Sequence, residues 1–476
     1  MADISKRLEH GLDRLRYEFS ERLETIDRYY RGRHAGPYMP RNANHEYKLL
    51  ARRAIHNWLP WIVAAPLQNL QVSGYRPSSG KGDAIWDIWQ ANRLDSRQRM
   101  VHEGALVFGN AYVTVAESPD GPKVTPVAAT RLWAAYEDPV ADEFPLYAVQ
   151  VFKDPETLSE DRARYFDNRG ITELAKVRGD WVTTSYRPHR FGVTPVVRFA
   201  PQMDLLGRSV GLVEPLIPIT DRINQTWFDL LIAQTYGSFK VRYATGMAPP
   251  PMIDPITGQP MTDPDSGDII YRPVEFDPSR VLVAEDPDTK FGELSETPLA
   301  GFLSSLETSV QHMAAVSQTP PHYLLGTMAN LSADALAAAE SAHMRKVESL
   351  KQVFGESWES VLRLCAKAAG NNRLAKDTKA QIVWADTGSR SLAQTADAFG
   401  KLVQMVDVPP RALWDKLPGF TQTDIDRFNE EADKAKAEAA KNPPPGPDHL
   451  GTFLGGKPPQ NAPGVANANN AGNARK

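Results

Sequence analysis

A chain of 476 residues is long enough for roughly two to four folding units, and its 54 Lys and Arg against 58 Asp and Glu leave a net charge of -4, so no overall basic field draws it to nucleic acid or membrane. One cysteine excludes an internal disulfide and a thiolate zinc site, and the ten histidines never fall in an H-x-x-x-H or H-E-x-x-H pattern, so neither a metal nor any other cofactor is expected. The charged N-terminus lacks the apolar core of a signal peptide, and the most apolar run, residues 57–70, is short and carries Pro60 and Pro66; a soluble chain with no membrane partner is expected.

Leu8, Leu12, Leu15, Phe19, Leu23 and Ile26 recur at intervals of three and four, the apolar stripe of a helix that ends near Gly32. Further helices are expected over about 47–65 and 83–106. The alternating "AYVTVAE" after Asn110 then reads as a half-buried strand, and short strands follow around 124–136, 146–153, 180–186 and 195–199. This first part is a mixed α+β unit with its helices first.

Residues 207–211, "GRSVG", spell the G-x-S-x-G of a nucleophile elbow, which needs a strand running directly into a strained turn and a helix. Here the strand-like "PVVRF" at 195–199 is too far from Ser209, and Pro215 and Pro218 interrupt the helix start. A serine hydrolase using Ser209 with His312, His322 or His343 stays as the alternative from another class.

A helix is expected from Leu212 to Tyr236, its prolines tolerated in the first turns. Residues 246–273 are crowded with Pro, Gly and Asp between strand-like "SFKVRY" and "RVLVAE", which predicts a small β unit with long loops. A helix over 298–318 leads to the loop "TPPHYLLGTMAN". Ser332 and Asp334 then open a long helix to about Ala369, near 50 Å at about 1.5 Å per residue. Met344, Val347, Leu350, Phe354, Trp358 and Val361 share one of its faces, and Cys365 continues it as a buried apolar residue. Residues 390–440 form a further helical unit, and 442–476, rich in Pro, Gly and Asn, are expected to be a disordered tail.

"GYRPSSGKGD" at 74–83 only superficially suggests a phosphate loop: its glycine spacing is one residue too long, and Gly82 stands where a Ser or Thr would hold magnesium. More informative is Gly292–Ala333, 42 residues with no Lys or Arg, where the chain's overall frequency predicts four or five. A buried helix would explain it. So would a surface that must not hold a polyanion, because each phosphate neutralised by Lys or Arg adds affinity through counterion release. Ser304, Ser305, Thr308, Gln311 and Gln318 make this helix more polar than a core helix usually is.

The ordered series "IDRYYRG" (26–32), "NLQVSGYR" (69–76), "IWQANRLD" (88–95), "HEGALVFGNAYVTV" (102–115), "HRFGVTPVVRFAPQ" (189–202), "GRSVGLVEPLIPITDRINQTWFDLL" (207–231) and "LSADALAAAESAHMRKVESLKQVFGESWESVLRL" (331–364) resembles the portal proteins of tailed double-stranded DNA bacteriophages of the SPP type. The resemblance implies a non-enzymatic ring, usually of twelve copies, at one capsid vertex, assembled in the cytoplasm of the host bacterium. It implies a wing (1–205), a first stem helix (206–236), a β clip (237–295), a second stem helix (296–318), a tunnel loop (319–331), a long helix returning to the wing (332–389) and a crown (390–441) before the tail. Double-stranded DNA would pass Glu307, Gln311, Thr319, His322, Tyr323, Thr327 and Asn330. The clip, with Lys240, Arg242, Asp254, Asp263, Asp265, Tyr271 and Arg272, would dock the terminase large subunit, whose ATPase supplies the work, and later the head-tail connector. For Lys240 and Arg242, ordinary exposed strand charges serve equally well. Scaffolding and major capsid proteins are the remaining implied partners, and a capsid protein without a channel remains a third reading.

Overall fold

A computed structural model describes residues 2–41, 43, 45–78, 82–153, 159, 161–237, 242–245, 251–264, 266–271, 290–293, 298–326, 333–385, 392–416 and 422–441. The chain divides into two units, Met1–Thr387 and Gly388–Lys476. Both are built as mixed or helical packings, and the whole is α+β.

In the first unit the N-terminal stripe forms α1 (Ala2–Glu18), which passes through a π turn at Phe19–Leu23 into α2 (Glu24–Tyr30). The turn's wider winding rotates the stripe, so Phe19 is exposed while Leu8, Leu12, Leu15, Leu23 and Ile26 are buried. The helix expected over 47–65 is two, α3 (His45–Arg53) and α4 (Leu59–Leu67). Asn57 explains the break: its side chain donates to Tyr30 O at 2.8 Å and accepts from Leu59 N, and Pro60 suits the first turn of a new helix.

After β1 (Val72–Arg76), the helix expected over 83–106 is likewise divided into α5 (Asp83–Ala91) and α6 (Leu94–Phe108). Asn92 ends the first by bonding Ile88 O, Pro122 O and Val124 N, and Arg93 takes a left-handed φ of 52°. Strands β2 (Ala111–Ala116), β3 (Lys123–Ala128), β4 (Leu132–Ala135), β5 (Tyr147–Phe152), β6 (Arg162–Phe166), β7 (Gly170–Val177), β8 (Asp180–Pro188) and β9 (Val196–Phe199) follow. They make a three-stranded sheet, β3-β2-β9, and a meander, β4-β5-β6-β7-β8. α1 lies on the meander, its leucines against Tyr147, Val149, Val151, Ala163, Tyr165 and Leu174.

A 3-10 turn at Glu214–Leu216 leads into α7 (Ile217–Gly237), so both prolines fall in opening turns. β10 (Arg242–Thr245) pairs antiparallel with β11 (Lys290–Glu293), and α8 (Ala300–Ser317) returns along α7. After α9 (Pro321–Leu325) comes α10 (Ala333–Ala368), the spine of the unit, then α11 (Asn372–Ala375) and β12 (Gln381–Trp384), which pairs antiparallel with β1. Val347, Leu350, Phe354, Trp358, Val361 and Cys365 are buried as expected. Met344 is not: where α10 reaches the end of α8, only the side carrying His343 and Val347 is covered.

The second unit holds α12 (Leu392–Val406), a 3-10 turn (Pro410–Lys416) and α13 (Gln422–Lys441). The turn is fixed to α13 by Trp414 edge-on to Phe428 and by Arg411 paired with Asp433 at 2.6 Å. The expected tail, 442–476, lies outside the described residues.

At the centre of the first unit, His102 of α6 is fully buried, stacked on Phe354. Its Nδ1–H faces Leu70 O at 3.1 Å, and its Nε2 accepts from Trp358 Nε1 at 2.8 Å, which requires a neutral ring. Burial pushes its pKa down to about 3 from the ordinary 6.5. Above pH 6.5 both folded and unfolded rings are neutral. As pH falls from 6.5 toward 3, the unfolded chain takes up a proton that the folded chain refuses, so stability is lost over that window, on the order of 5 kcal/mol in all. Denaturant melts at pH 7.5 and 4.5 are expected to show about half of this loss, roughly 2 to 3 kcal/mol, and His102→Gln, which keeps a donor and an acceptor, to flatten it.

Candidate functional site

The glycines of "GRSVG" serve close backbone packing. Asp204 nucleates a tight turn: its carboxylate accepts from Leu206 N, Arg208 N and Arg208 Nε, and Met203 bridges back to Ser209. Gly207 takes φ +73° in that turn. Gly211 then passes over the end of α6 so closely that a Cβ on it would lie 2.5 Å from Val107 O and 2.7 Å from Leu106 O. Leu212 N bonds Leu106 O at 2.7 Å, and Gly109, left-handed at φ +86°, closes α6 beneath it.

Ser209 is buried in this packing, and its carbonyl accepts from Arg22 Nη2 at 2.7 Å while Arg22 Nε binds Glu214 at 2.9 Å. Among the described residues no hydrogen bond joins Ser209 to a histidine. No strand runs straight into the serine, so the elbow geometry is absent. His312 is exposed on α8, and His343 is buried with Nδ1 on Gln318 O. Among the described residues no group of three or more His, Cys, Asp or Glu is placed to hold a metal, and no helix is long and apolar enough to cross a membrane.

The segment without Lys or Arg is not a core helix. α8 buries Leu306, Ser309, Val310, Met313, Ala314 and Ser317 against the rest of the unit and exposes Leu303, Ser304, Glu307, Thr308, Gln311, His312 and Val316. Glu307 and Gln311 thus lie on one exposed face a single turn apart. α8 stops at Gln318, left-handed at φ 52°, and the chain turns through Thr319 and Pro320 into α9.

Thr319 is buried with its hydroxyl unpartnered. His322 sits 4.0 Å from Glu340 and edge-on to Tyr323, whose hydroxyl burial and Glu340 both push up. Thr327 and Asn330 lie outside the described residues.

The charges that hold this junction come from α10. Lys346 Nζ donates to Ser317 O at 2.7 Å, and the His343 ring binds the next carbonyl, so two side chains satisfy the end of α8. Burial lowers the Lys346 ammonium to about 8. Lys346 escaped the sequence reading, although "RK" at 345–346 marks where basic residues resume after Lys290, and His343 entered it only as a candidate partner of Ser209.

Of the expected docking residues, Lys240, Asp265 and Arg272 lie outside the described residues, and Arg242 opens β10. Asp254 accepts from Ile256 N and from the Thr257 hydroxyl, which hold its carboxyl below the usual range. Asp263 N bonds Asp268 O, and Tyr271 bridges Pro251 and is half exposed. Asp254, Asp263 and Tyr271 therefore share one short loop excursion of paired turns.

Residues 12–443 match the family described as "Phage portal protein, SPP1 Gp6-like". The chain is 27% identical over 348 residues to the portal protein of Mycobacterium phage D29, covering 70% of this chain and 69% of that protein. It is also 27% identical over 349 residues to the portal protein of Mycobacterium phage L5, covering 70% and 68%. Among solved structures it resembles a chain from the virion of a native gene transfer agent particle, with a TM-score of 0.41 and 12% identity over 83% of this chain and 99% of that one. A chain from the neck of an empty gene transfer agent particle gives a TM-score of 0.39 and 11% identity, over 78% and 92%.

The turn geometry separates two substitutions. Gly211→Ala forces a Cβ into main-chain oxygens that cannot rotate away and is expected to destabilise by about 2 kcal/mol or more. Ser209→Ala is expected to stay within about 1 kcal/mol of the parent, and a fluorophosphonate probe to leave Ser209 unlabelled. Chemical denaturation and peptide mapping check both.

Proposed function

We propose that this chain, which belongs to the SPP1 Gp6-like phage portal protein family, a structural and non-enzymatic component of the phage virion, serves as the DNA packaging channel at the head-tail neck, as a closed ring of twelve copies at one capsid vertex. Residues 1–205 are its wing, 206–236 and 296–318 its stem helices, 237–295 its clip, 319–331 its tunnel loop, 332–389 the long helix and its return to the wing, 390–441 its crown and 442–476 its tail. The division of the chain at Thr387 and Gly388 supports a separate crown.

The observation that carries the channel reading is the exposed, cation-free face of α8. Leu303, Ser304, Glu307, Thr308, Gln311 and Val316 stand in solvent with no Lys or Arg on the helix. A duplex sliding past such a surface releases no counterions to it and is not held. Glu307, Gln311, His322, Tyr323, Thr327 and Asn330 are the residues proposed to face DNA, with Thr319 at the buried base of the loop.

The excursion at 251–271, with Asp254, Asp263 and Tyr271, is proposed to meet the terminase large subunit during filling and the head-tail connector afterwards, together with Lys240, Arg242, Asp265 and Arg272. Scaffolding and major capsid proteins are the remaining proposed partners. The short β10–β11 ladder leaves edges that main-chain pairing with adjacent copies would close.

Native mass spectrometry with negative-stain imaging tests the ring. A closed assembly of about 632 kDa, twelve times 52.7 kDa, with an axial hole of about 20 Å or more for a B-form duplex, is expected. An assembly without a hole would favour a capsid protein with no channel. On the same rings Gln311→Lys is expected to raise affinity for duplex DNA and to steepen its dependence on salt, by about one counterion per engaged phosphate. Unchanged binding in that variant would place the α8 face away from DNA.

A further inference from the structure

A tight turn normally carries Gly, Asn, Asp or Ser at its tip. The turn between Met203 and Ser209 carries leucines instead. Leu205 is 90% exposed and Leu206 69%, and among the described residues of the first unit no other two adjacent large apolar side chains stand so far out. The frame beneath them is rigid: the Asp204 carboxylate accepts from Leu206 N, Arg208 N and Arg208 Nε, Gly207 N bonds Asp204 O, and Asp204 N bonds Arg208 O. Two leucines held in water by a fixed turn gain nothing for the isolated chain, and a partner that covers them has little left to order.

The ground around this knob is acidic. Gly207 presses on Pro139, where a Cβ would lie 2.5 Å from the proline ring. Pro139 belongs to "EDPVADE" at 137–143, four acids without a cation, in which Val140 is also exposed. Arg208 is paired with Asp204, Arg363 with Glu143, and Arg198 is half-buried on Pro139 O. The opposite flank of α1 carries the complement. His10, Arg14 and Glu18 line a cleft on the side of the turn, together with Asp204, Gly207 and Arg208. By helical period Leu12, Arg16 and Phe19 lie half a turn around from them, and these line a second cleft, of about 580 Å³. Its wall is apolar, with Phe19, Phe108, Val151 and Trp181, and the π turn that rotates Phe19 out of the buried stripe is what opens it. Four cations, Arg16, Arg31, Arg131 and Lys176, line it against two acids, Asp27 and Asp161.

We propose that the Leu205–Leu206 turn of one copy seats in this second cleft of the adjacent copy, with the acidic segment 137–143 meeting the cations that line it. The inference rests on the ring reading above. A ring of identical copies joins one face of each subunit to a different face of the next, and an apolar knob and an apolar hole on opposite flanks of one helix, with opposite charge around them, satisfy that requirement. Burial of the leucines supplies the affinity, and the charges set the direction of approach.

The test uses full-length chain carrying both Leu206→Cys and Ala128→Cys, the latter an exposed position in the cleft. The native Cys365 is buried and its thiol is pushed up to about 12, so a short bis-maleimide reacts at the two substituted positions alone. A ladder of covalently joined chains on a denaturing gel is expected, absent from either single variant. In the otherwise unsubstituted chain, Leu205→Ser with Leu206→Ser is expected to raise the concentration needed for half-assembly by about tenfold or more. Both side chains already stand in water, so the melting of the unassembled chain is expected to stay unchanged. Closed rings that give no ladder, and that the double serine variant forms as readily as the parent, overturn the seat and leave the ring standing. Absence of any closed ring in the mass measurement overturns the ring and the seat with it.

Discussion

The hydrogen bond from Trp358 Nε1 to His102 Nε2 joins helices 256 residues apart in sequence, and the architecture of the first unit follows from it. The imidazole can accept only while neutral, and its opposite nitrogen then faces Leu70 O, so one ring fixes α6, α10 and the chain that leads into β1. Phe354 stacks on it, while Phe199 from β9 and Trp384 from β12 tilt against it. Trp89 of α5 meets Trp358 edge-on. A polar contact inside an aromatic cluster specifies one arrangement more strictly than apolar packing alone, because any slip leaves two buried groups without partners.

Because α10 is pinned at Trp358, its free half can act at a distance. It runs from the cluster to the end of α8, where His343 and Lys346 take the carbonyls of Gln318 and Ser317. α7 begins from the same platform, through Gly211 pressed on the last turn of α6 and Arg22 holding Ser209 O and Glu214. Both helices of the antiparallel pair are therefore fixed at one end to a rigid base. Between them in the chain lie the β10–β11 ladder and the excursion at 251–271, in which Asp254 and Asp263 bond within their own turns. Such an arrangement separates a packed support from a loop surface, the division that the proposed docking role of the excursion calls for.

Much of this was legible in the sequence where one period dominated. The strand at "AYVTVAE", the stripe from Val347 to Cys365 and the polar helix after Pro298 all announce themselves by spacing, but β2 is buried along both faces and not half-buried as expected, because it is the central strand between β3 and β9 with α6 and α10 packed on it. Breaks inside helices did not, because Asn57 and Asn92 are unremarkable in composition and act by bonding main chain supplied from elsewhere in the fold. β6 and β7 were missed for a related reason: Arg164, Glu173 and Lys176 interrupt their apolar pattern, and only the cross-strand pairing of Glu173 with Arg164 and Arg187 makes the first two strand-like. The glycines of "GRSVG" were visible as a turn. What Gly211 packs against was not, since Leu106 and Val107 come from a helix a hundred residues earlier.

The charge pattern of α8 and α10 was half visible. Absence of Lys and Arg is a property of sequence, but whether the helix hides in a core or faces solvent depends on the fold, and here Glu307 and Gln311 are exposed while Ser309 and Met313 are buried. Basic residues resume at Arg345 and Lys346, and the fold returns them to the end of that same helix, into a cleft with no acid of its own. Two demands on the proposed channel pull in opposite directions: a wall that passes DNA must shed cations, and a ring that withstands packaging needs strong joints. Keeping cations off the exposed face of α8 while Lys346 is held against Ser317 O at its end meets both within one subunit, since that cation braces the junction of the two helices without standing on the face proposed to pass phosphates.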